Sequence, residues 1–166
     1  MATEIIIRPF SERDAAQVRE LFITVNRLLS PPDFRDAFEA YIERALAEEI
    51  DHIPAYYSEH AGSFRVAVKD NKVVGMFGVM ELRRMYVDPS ARRQGIARQM
   101  LHAAEDECRR QGVSRLTLST SEIQVAALAL YKAAEYGLLG EEIADVARNK
   151  TIGSGIRRYY FEKALG

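Results

Sequence analysis

The hydrophobic period of the chain changes abruptly near residue 95. Leu82–Val87 mixes β-branched, aromatic and long apolar residues, as a strand does, and Asp88-Pro89 closes it because proline cannot donate to a ladder. Beyond a short turn, Ile96, Ala97, Met100, Leu101, Ala104 and Cys108 recur at helical spacing. Arg98, Gln99, His102, Glu105, Asp106, Arg109 and Arg110 cover the opposite face, and Gly112 is placed to end the helix. The expected succession is a strand, a turn carrying Arg92 and Arg93, and a helix whose first turn spans 94–97.

The remaining pattern supplies the elements around this unit. Ile5, Ile6 and Ile7 read as a short strand closed by Arg8-Pro9, and Ser11 caps a helix with Asp14 three residues on. Val18, Leu21, Phe22, Val25 and Leu28 or Leu29 form its apolar stripe. Ser30-Pro31-Pro32-Asp33 interrupts the period before a second amphipathic helix through Phe34, Phe38, Tyr41, Ile42, Ala45 and Leu46. Residues 48–62 have no clear period and predict a loop with at most one helical turn. Its polar and aromatic residues (Asp51, His52, Tyr56, Tyr57, Glu59, His60) suit a binding-site wall or, preferably, a loop surface with the tyrosines packed down.

Residues 64–68 and 73–79 read as strands joined by an Asp70-Asn71 hairpin, with Gly75 and Gly78 marking a bulge or close packing. With the strand at 82–87 they make an antiparallel meander. Residues 115–119 form a further strand beyond the helix, so it should run parallel to 82–87 through a right-handed crossover. An alanine-rich helix over 123–135, with Leu128 and Leu130 inward, is followed by a strand opening at Leu138-Leu139, a Gly153-Ser154-Gly155 turn and a last strand at 157–161.

Composition narrows the class. The 166 residues suit one domain, 1–166, with 48% hydrophobic and 28% charged residues. A net charge of −1 favours neither nucleic acid nor an anionic membrane, and no run reaches ~18 apolar residues. The single cysteine, Cys108, lies on an apolar helix face and reads as core, which suits a reducing, cytoplasmic setting.

The turn before the third long helix carries candidate chemistry. A helix start leaves N–H groups unpaired and partly positive, which suits phosphate, and small Gly95 and Ala97 let a ligand approach the backbone beside Arg92 and Arg93. A solvated glycine turn is the plain alternative. The run Arg92-Arg93-Gln94-Gly95-Ile96-Ala97 resembles the Arg/Gln-x-x-Gly-x-Gly/Ala signature of the GNAT superfamily of acyl-CoA-dependent N-acetyltransferases. Met85-Tyr86-Val87-Asp88-Pro89 looks like that family's motif strand. The run at 124–131, from Gln124 through Ala127 and Leu130 to Tyr131, is similar to its second signature, Asn-x-x-Ala-x-x-Leu-Tyr.

The resemblance implies a mixed α/β (α+β) GNAT fold. Its central sheet is mostly antiparallel, with one parallel, splayed strand pair, and about four helices flank it. It implies acetyl-CoA as cosubstrate, with no metal, and transfer of the acetyl group to a primary amine of a small molecule or protein by direct attack in a ternary complex. Pantetheine would lie between 85–87 and 118–120, against Met85, Tyr86 and Val87 on one side and Ser119 and Thr120 on the other, with Gln124 nearby. The pyrophosphate would sit on Arg92, Arg93, Gln94, Gly95, Ile96, Ala97 and Arg98. Tyr131 stands at the family's catalytic tyrosine and would protonate the departing thiolate. Glu81, at the start of the motif strand, matches a glutamate that in some branches deprotonates the amine, whose free pKa is ~10.4. Gln124 in place of asparagine is similar to the camello-type branch, and Ala134-Glu135-Tyr136 replaces a common Leu-Gly-Phe. Arg83 and Arg84 are unexpected in a strand covered on both faces and suit either a substrate carboxylate or ion pairs with Glu81 or Glu122. The acceptor is unspecified, a homodimer stays open, and a non-catalytic acyl-CoA sensor is the competing reading.

Overall fold

The computed structural model describes residues 4–145, 147 and 151–166. Its elements in order are β1 (Ile6–Pro9), α1 (Ala15–Leu29), α2 (Arg35–Glu48), α3 (Ile53–Glu59), β2 (Ser63–Lys69), β3 (Lys72–Val79) and β4 (Leu82–Val87). They continue with α4 (Ile96–Arg110), β5 (Arg115–Ser121), α5 (Val125–Ala133), β6 (Gly137–Ala144) and β7 (Ile156–Ala164). The seven strands form one sheet in the order β1-β2-β3-β4-β5-β7-β6. Every pairing is antiparallel except β4 with β5, the pair that the intervening helix α4 requires to be parallel.

Local chemistry accounts for the connections. Asp70 and Asn71 link β2 to β3 with φ of 52° and 61°, the two successive left-handed residues that a tight hairpin turn demands. Gly75 and Gly78 mark close packing. A Cβ at Gly78 would lie 2.3 Å from the Tyr57 hydroxyl, and one at Gly75 would lie 2.9 Å from the Met100 sulfur, so α3 and α4 approach β3 from opposite sides. Helix α4 ends on Gly112 at φ 73°, where the Val113 N–H donates to the Cys108 carbonyl at 2.8 Å. Helix α5 ends in the same way without a glycine. Glu135 takes φ 69° and the Tyr136 N–H donates to the Tyr131 carbonyl at 3.0 Å, so the turn expected of Leu-Gly-Phe survives in Ala134-Glu135-Tyr136.

The sheet separates two apolar layers. Phe22, Val25, Tyr41, Ile42 and Ile53 of α1 to α3 pack on Val66, Met76 and Tyr86. On the other face Met100, Leu101 and Ala104 of α4, with Tyr131 of α5, pack on Phe77, Leu116, Leu118 and Phe161. Cys108 is buried in this second layer, and burial pushes its thiol upward.

Three expectations change in detail. Residues 48–62 contain a 3-10 turn, Ile50–His52, and the seven-residue helix α3. The helix presents only Ile53 and Tyr57 to the core, too few positions for a period to show. The helix expected over 123–135 is shorter, Val125–Ala133, with Leu128 and Leu130 half-buried. Glu81 lies in the Met80-Glu81 turn, one residue before β4 begins at Leu82. Within β4, Tyr86 opposes Met76 and Arg83 opposes Gly78, so Arg84 and Met85 together face Phe77. Arg84 sits at φ 54°, which marks a β-bulge in the motif strand.

Candidate active site

The parallel pair β4/β5 touches in register only at Leu82 and Leu118. Beyond that point the strands part, and the gap opens a cleft whose walls include Arg84, Met85, Tyr86, Ser119, Gln124 and Tyr131. The cleft joins the two faces of the sheet. Leu118 packs with α4 and α5, so by strand alternation Ser119 and Ser121 face the α1–α2 side. Tyr41 and Asn26 wall the cleft from that side and Tyr131 from the other.

At the end of β4 the chain turns into α4. The Asp88 carboxylate accepts the Ser90 N–H at 2.9 Å, and Arg93 and Gly95 take φ of 64° and 76°. The first intrahelical bond runs from the Gln99 N–H to the Gly95 carbonyl at 3.1 Å, so the N–H groups of Ile96, Ala97 and Arg98 have no partner within the helix. A Cβ at Gly95 would meet nothing within 4 Å. Arg92, Arg93, Gln94 and Arg98 are exposed around this open cradle, and Lys69 Nζ donates to Gln94 Oε1 at 2.8 Å, adding another cation. N–H groups left unpaired within the helix, cationic side chains and the open space beside Gly95 together fit a pyrophosphate.

Gln124 sits at the start of α5 and its Oε1 accepts the Thr120 hydroxyl, which ties the second motif to β5. Tyr131 is buried between Tyr136 and Phe161, at ring-centroid distances of 5.9 and 6.3 Å, and it lines the cleft. Burial pushes its phenol well above the ordinary value. Tyr86 turns its ring into the α1–α2 core, 5.8 Å from Phe22, so this residue offers the gap its backbone and not its ring.

The two strand arginines are resolved by a residue that sequence reasoning passed over. Glu49, fully buried at the end of α2, accepts from Arg83 Nη2 at 2.5 Å and from Arg84 Nε and Nη2 at 3.2 Å each. It also accepts the Tyr57 hydroxyl at 2.7 Å, and Arg84 donates to the Tyr41 hydroxyl. Burial by itself raises the Glu49 carboxyl, but Arg84 and Arg83 overcome it and hold the group below the usual glutamate range. The ion-pair alternative for Arg83 and Arg84 is therefore the observed one: Arg83 pairs with the expected Glu81, and both arginines pair with Glu49. Glu81 stands 3.7 Å from Arg83, and Glu122 accepts the Arg157 N–H instead. Glu49 was hidden because it falls in the aperiodic 48–62 stretch. Glu81 itself is partly exposed on its turn and does not wall the cleft, so it is not brought together with Tyr131.

This geometry sets a cleft with a tyrosine in its wall beside a strand, β4, that leads into the cradle at the start of α4. The sequence matches the model of the Acetyltransferase (GNAT) family over residues 26–136, and the chain belongs to that family. N-acetyltransferase 8 of Homo sapiens is 32% identical over 114 residues, covering 61% of this chain and 50% of the human protein. The N-acetylaspartate synthetase of Xenopus tropicalis is 33% identical over 109 residues, covering 60% of this chain and 40% of the relative. The matched part thus spans half or less of the length of these relatives. Among solved structures, a GNAT-family acetyltransferase from Staphylococcus aureus Mu50 superposes with a TM-score of 0.73 at 16% identity, over 98% of this chain and 100% of that one. A Salmonella typhimurium acetyltransferase solved with its cofactor acetyl-CoA gives 0.71 at 17% identity, over 98% and 94%. At such identities the likeness is one of fold. Among the described residues, no helix is long and apolar enough to cross a membrane.

Proposed function

We propose that the chain is an acetyl-CoA-dependent N-acetyltransferase acting on a primary amine of a small molecule or protein, by direct attack within a ternary complex. The observation that carries this reading is the gap between β4 and β5, walled by Met85, Ser119, Gln124 and Tyr131, on a strand whose end turns directly into the cradle at the start of α4. Acetyl-CoA supplies the acetyl group as a thioester. The names N-acetyltransferase 8 and N-acetylaspartate synthetase support transfer to nitrogen.

Each residue then has a defined task. The N–H groups of Ile96, Ala97 and Arg98, with Arg92 and Arg93, hold the pyrophosphate. The backbone of Met85, Tyr86 and Val87, on the strand edge that β5 leaves unpaired, binds the pantetheine amides and offers an N–H to the tetrahedral oxyanion. Ser119, Thr120 and Gln124 form the facing wall. Tyr131 keeps its proton across the working pH range because burial raises its pKa. It acts as a hydrogen-bond donor to the departing sulfur, and its elevated pKa makes complete proton transfer from the ring unfavourable. Glu81 accepts the amine proton through water, since its place on the turn keeps it out of the cleft wall. Glu49 is held ionised between two guanidiniums and serves to fix the bulge, not to move protons. The single cysteine is buried on α4 away from the cleft, which favours direct attack over an acyl-cysteine intermediate.

The test is calorimetric titration with acetyl-CoA followed by thiol-release assays on a broad amine panel. Binding with turnover supports the proposal. Tight binding with no acceptor turned over would favour the non-catalytic sensor, and no binding would remove both readings.

A further inference from the structure

Three guanidiniums reach the cleft, those of Arg83, Arg84 and Arg158. Glu49 binds the first two, and Glu81 also stands beside Arg83. Arg158 on β7 is different. It is 8% exposed, and its Nη2 donates to the Ser119 hydroxyl at 2.9 Å. Among the described residues no carboxylate pairs with it. Glu142, its cross-strand neighbour on β6, binds the Tyr160 hydroxyl and Glu122 binds the Arg157 backbone. A cation this buried, held among the described residues by the neutral Ser119 hydroxyl and by no carboxylate, carries a desolvation cost that an anion would relieve.

Its position says which molecule brings that anion. Arg158 pairs with Ser121 across β5/β7, so its side chain shares the α1–α2 face with Ser119 and Ser121. The phosphate cradle belongs to α4 on the opposite face. The acceptor approaches from the α1–α2 side if the cosubstrate enters from the α4–α5 side. We infer that the acceptor is a small amine carrying a carboxylate, an amino-acid-like molecule, and that Arg158 binds this carboxylate with Ser119 and Ser121 beside it. The inference rests on the acetyltransferase reading above. It also moves carboxylate recognition from Arg83 and Arg84, whose charges Glu49 already uses, to a residue on the last strand.

The test compares the twenty L-amino acids with their matched carboxamides as acceptors, in wild type, Arg158→Gln and Arg158→Lys. A carboxamide amine is the less basic and so has more free base at neutral pH, which means a preference for the acid runs against intrinsic reactivity. The expected result is a wild-type preference for at least one acid over its carboxamide. In Arg158→Gln that ratio of kcat/KM collapses by roughly tenfold to a hundredfold, mainly through KM for the acid, and Arg158→Lys restores part of it. KM for acetyl-CoA should hold. A purely structural Arg158 would lower the rates for acid and carboxamide alike, and that result overturns the inference while leaving the acetyltransferase reading intact. If no amine is turned over, thermal shifts with CoA plus N-acetyl amino acids decide. Stabilisation of wild type but not of Arg158→Gln supports the site, and none in either overturns it. A wild type that fails to bind acetyl-CoA removes the acetyltransferase reading and this inference with it.

Discussion

Replacing Tyr131 by Phe removes one oxygen and leaves the ring between Tyr136 and Phe161. Among the described residues no side chain bonds to the Tyr131 hydroxyl, and burial is the sole cause of its raised pKa, so the substitution should leave thermal stability unchanged within about 0.5 kcal/mol. What disappears is a hydrogen bond to a sulfur that becomes negative during the reaction. Bonds to charged groups contribute about 1.5–3 kcal/mol, which corresponds to roughly a 10- to 150-fold loss of turnover. Acetyl-CoA affinity should hold, so the loss appears in kcat. The wild-type profile should also lack a tyrosine limb near pH ~10, because the folded phenol titrates above that value. The assay is thiol release with the best wild-type amine, alongside calorimetric binding and a melting curve. Full turnover in Tyr131→Phe would refute the assignment of its hydroxyl to the leaving group.

Three further outcomes follow from the cradle and the buried network. Gly95→Glu should abolish acetyl-CoA binding by calorimetry in a folded protein. Its Cβ has open space, so the direct structural cost is the left-handed φ of 76°, about 1–2 kcal/mol, and the loss comes from a carboxylate standing where phosphate belongs. Arg92→Ala should weaken binding modestly, with a penalty that shrinks as salt rises; insensitivity to ionic strength would show that the exposed side chain acts by packing. Glu49→Gln should destabilise by about 3–5 kcal/mol by leaving Arg83 and Arg84 without their shared anion. Because the folded Glu49 pKa lies below its unfolded value, its contribution is present above ~pH 4.3 and is lost as pH falls through the folded pKa. Urea midpoints measured against pH should show a smaller acid-side loss in Glu49→Gln than in wild type.

The sequence was most legible where a local rule governs a local structure. Asp70-Asn71 dictates its hairpin, Gly112 ends α4, and the β4–α4 unit follows from a change of period that no other arrangement of Ile96, Met100 and Leu101 would satisfy. It was least legible where distant residues meet. Glu49 and Arg84 are 35 positions apart, and although two arginines in β4 call for a carboxylate, nothing in α2 signals that Glu49 supplies it. The same holds for Arg158, whose alternation within β7 is visible in sequence but whose neighbour Ser119 is 39 positions away. Tyr131 was placed by resemblance, since an aromatic on an apolar helix face reads equally well as core. The left-handed Glu135 shows the reverse case, in which an unfavourable residue adopts the conformation that the chain requires.

The single register point between Leu82 and Leu118 also has a mechanical consequence. The strands β1 to β4 form one wing of the sheet and β5 to β7 another, and little backbone bonding stitches them together. Helices α4 and α5 bridge the seam through side chains, which resist separation but transmit shear poorly. Such a protein should breathe along this line, with amides facing the seam exchanging their protons sooner than those inside the β2–β3 and β5–β7 ladders. A ligand lying in the seam replaces the missing rungs, so occupancy should protect both wings at once, even at amides far from any bound atom.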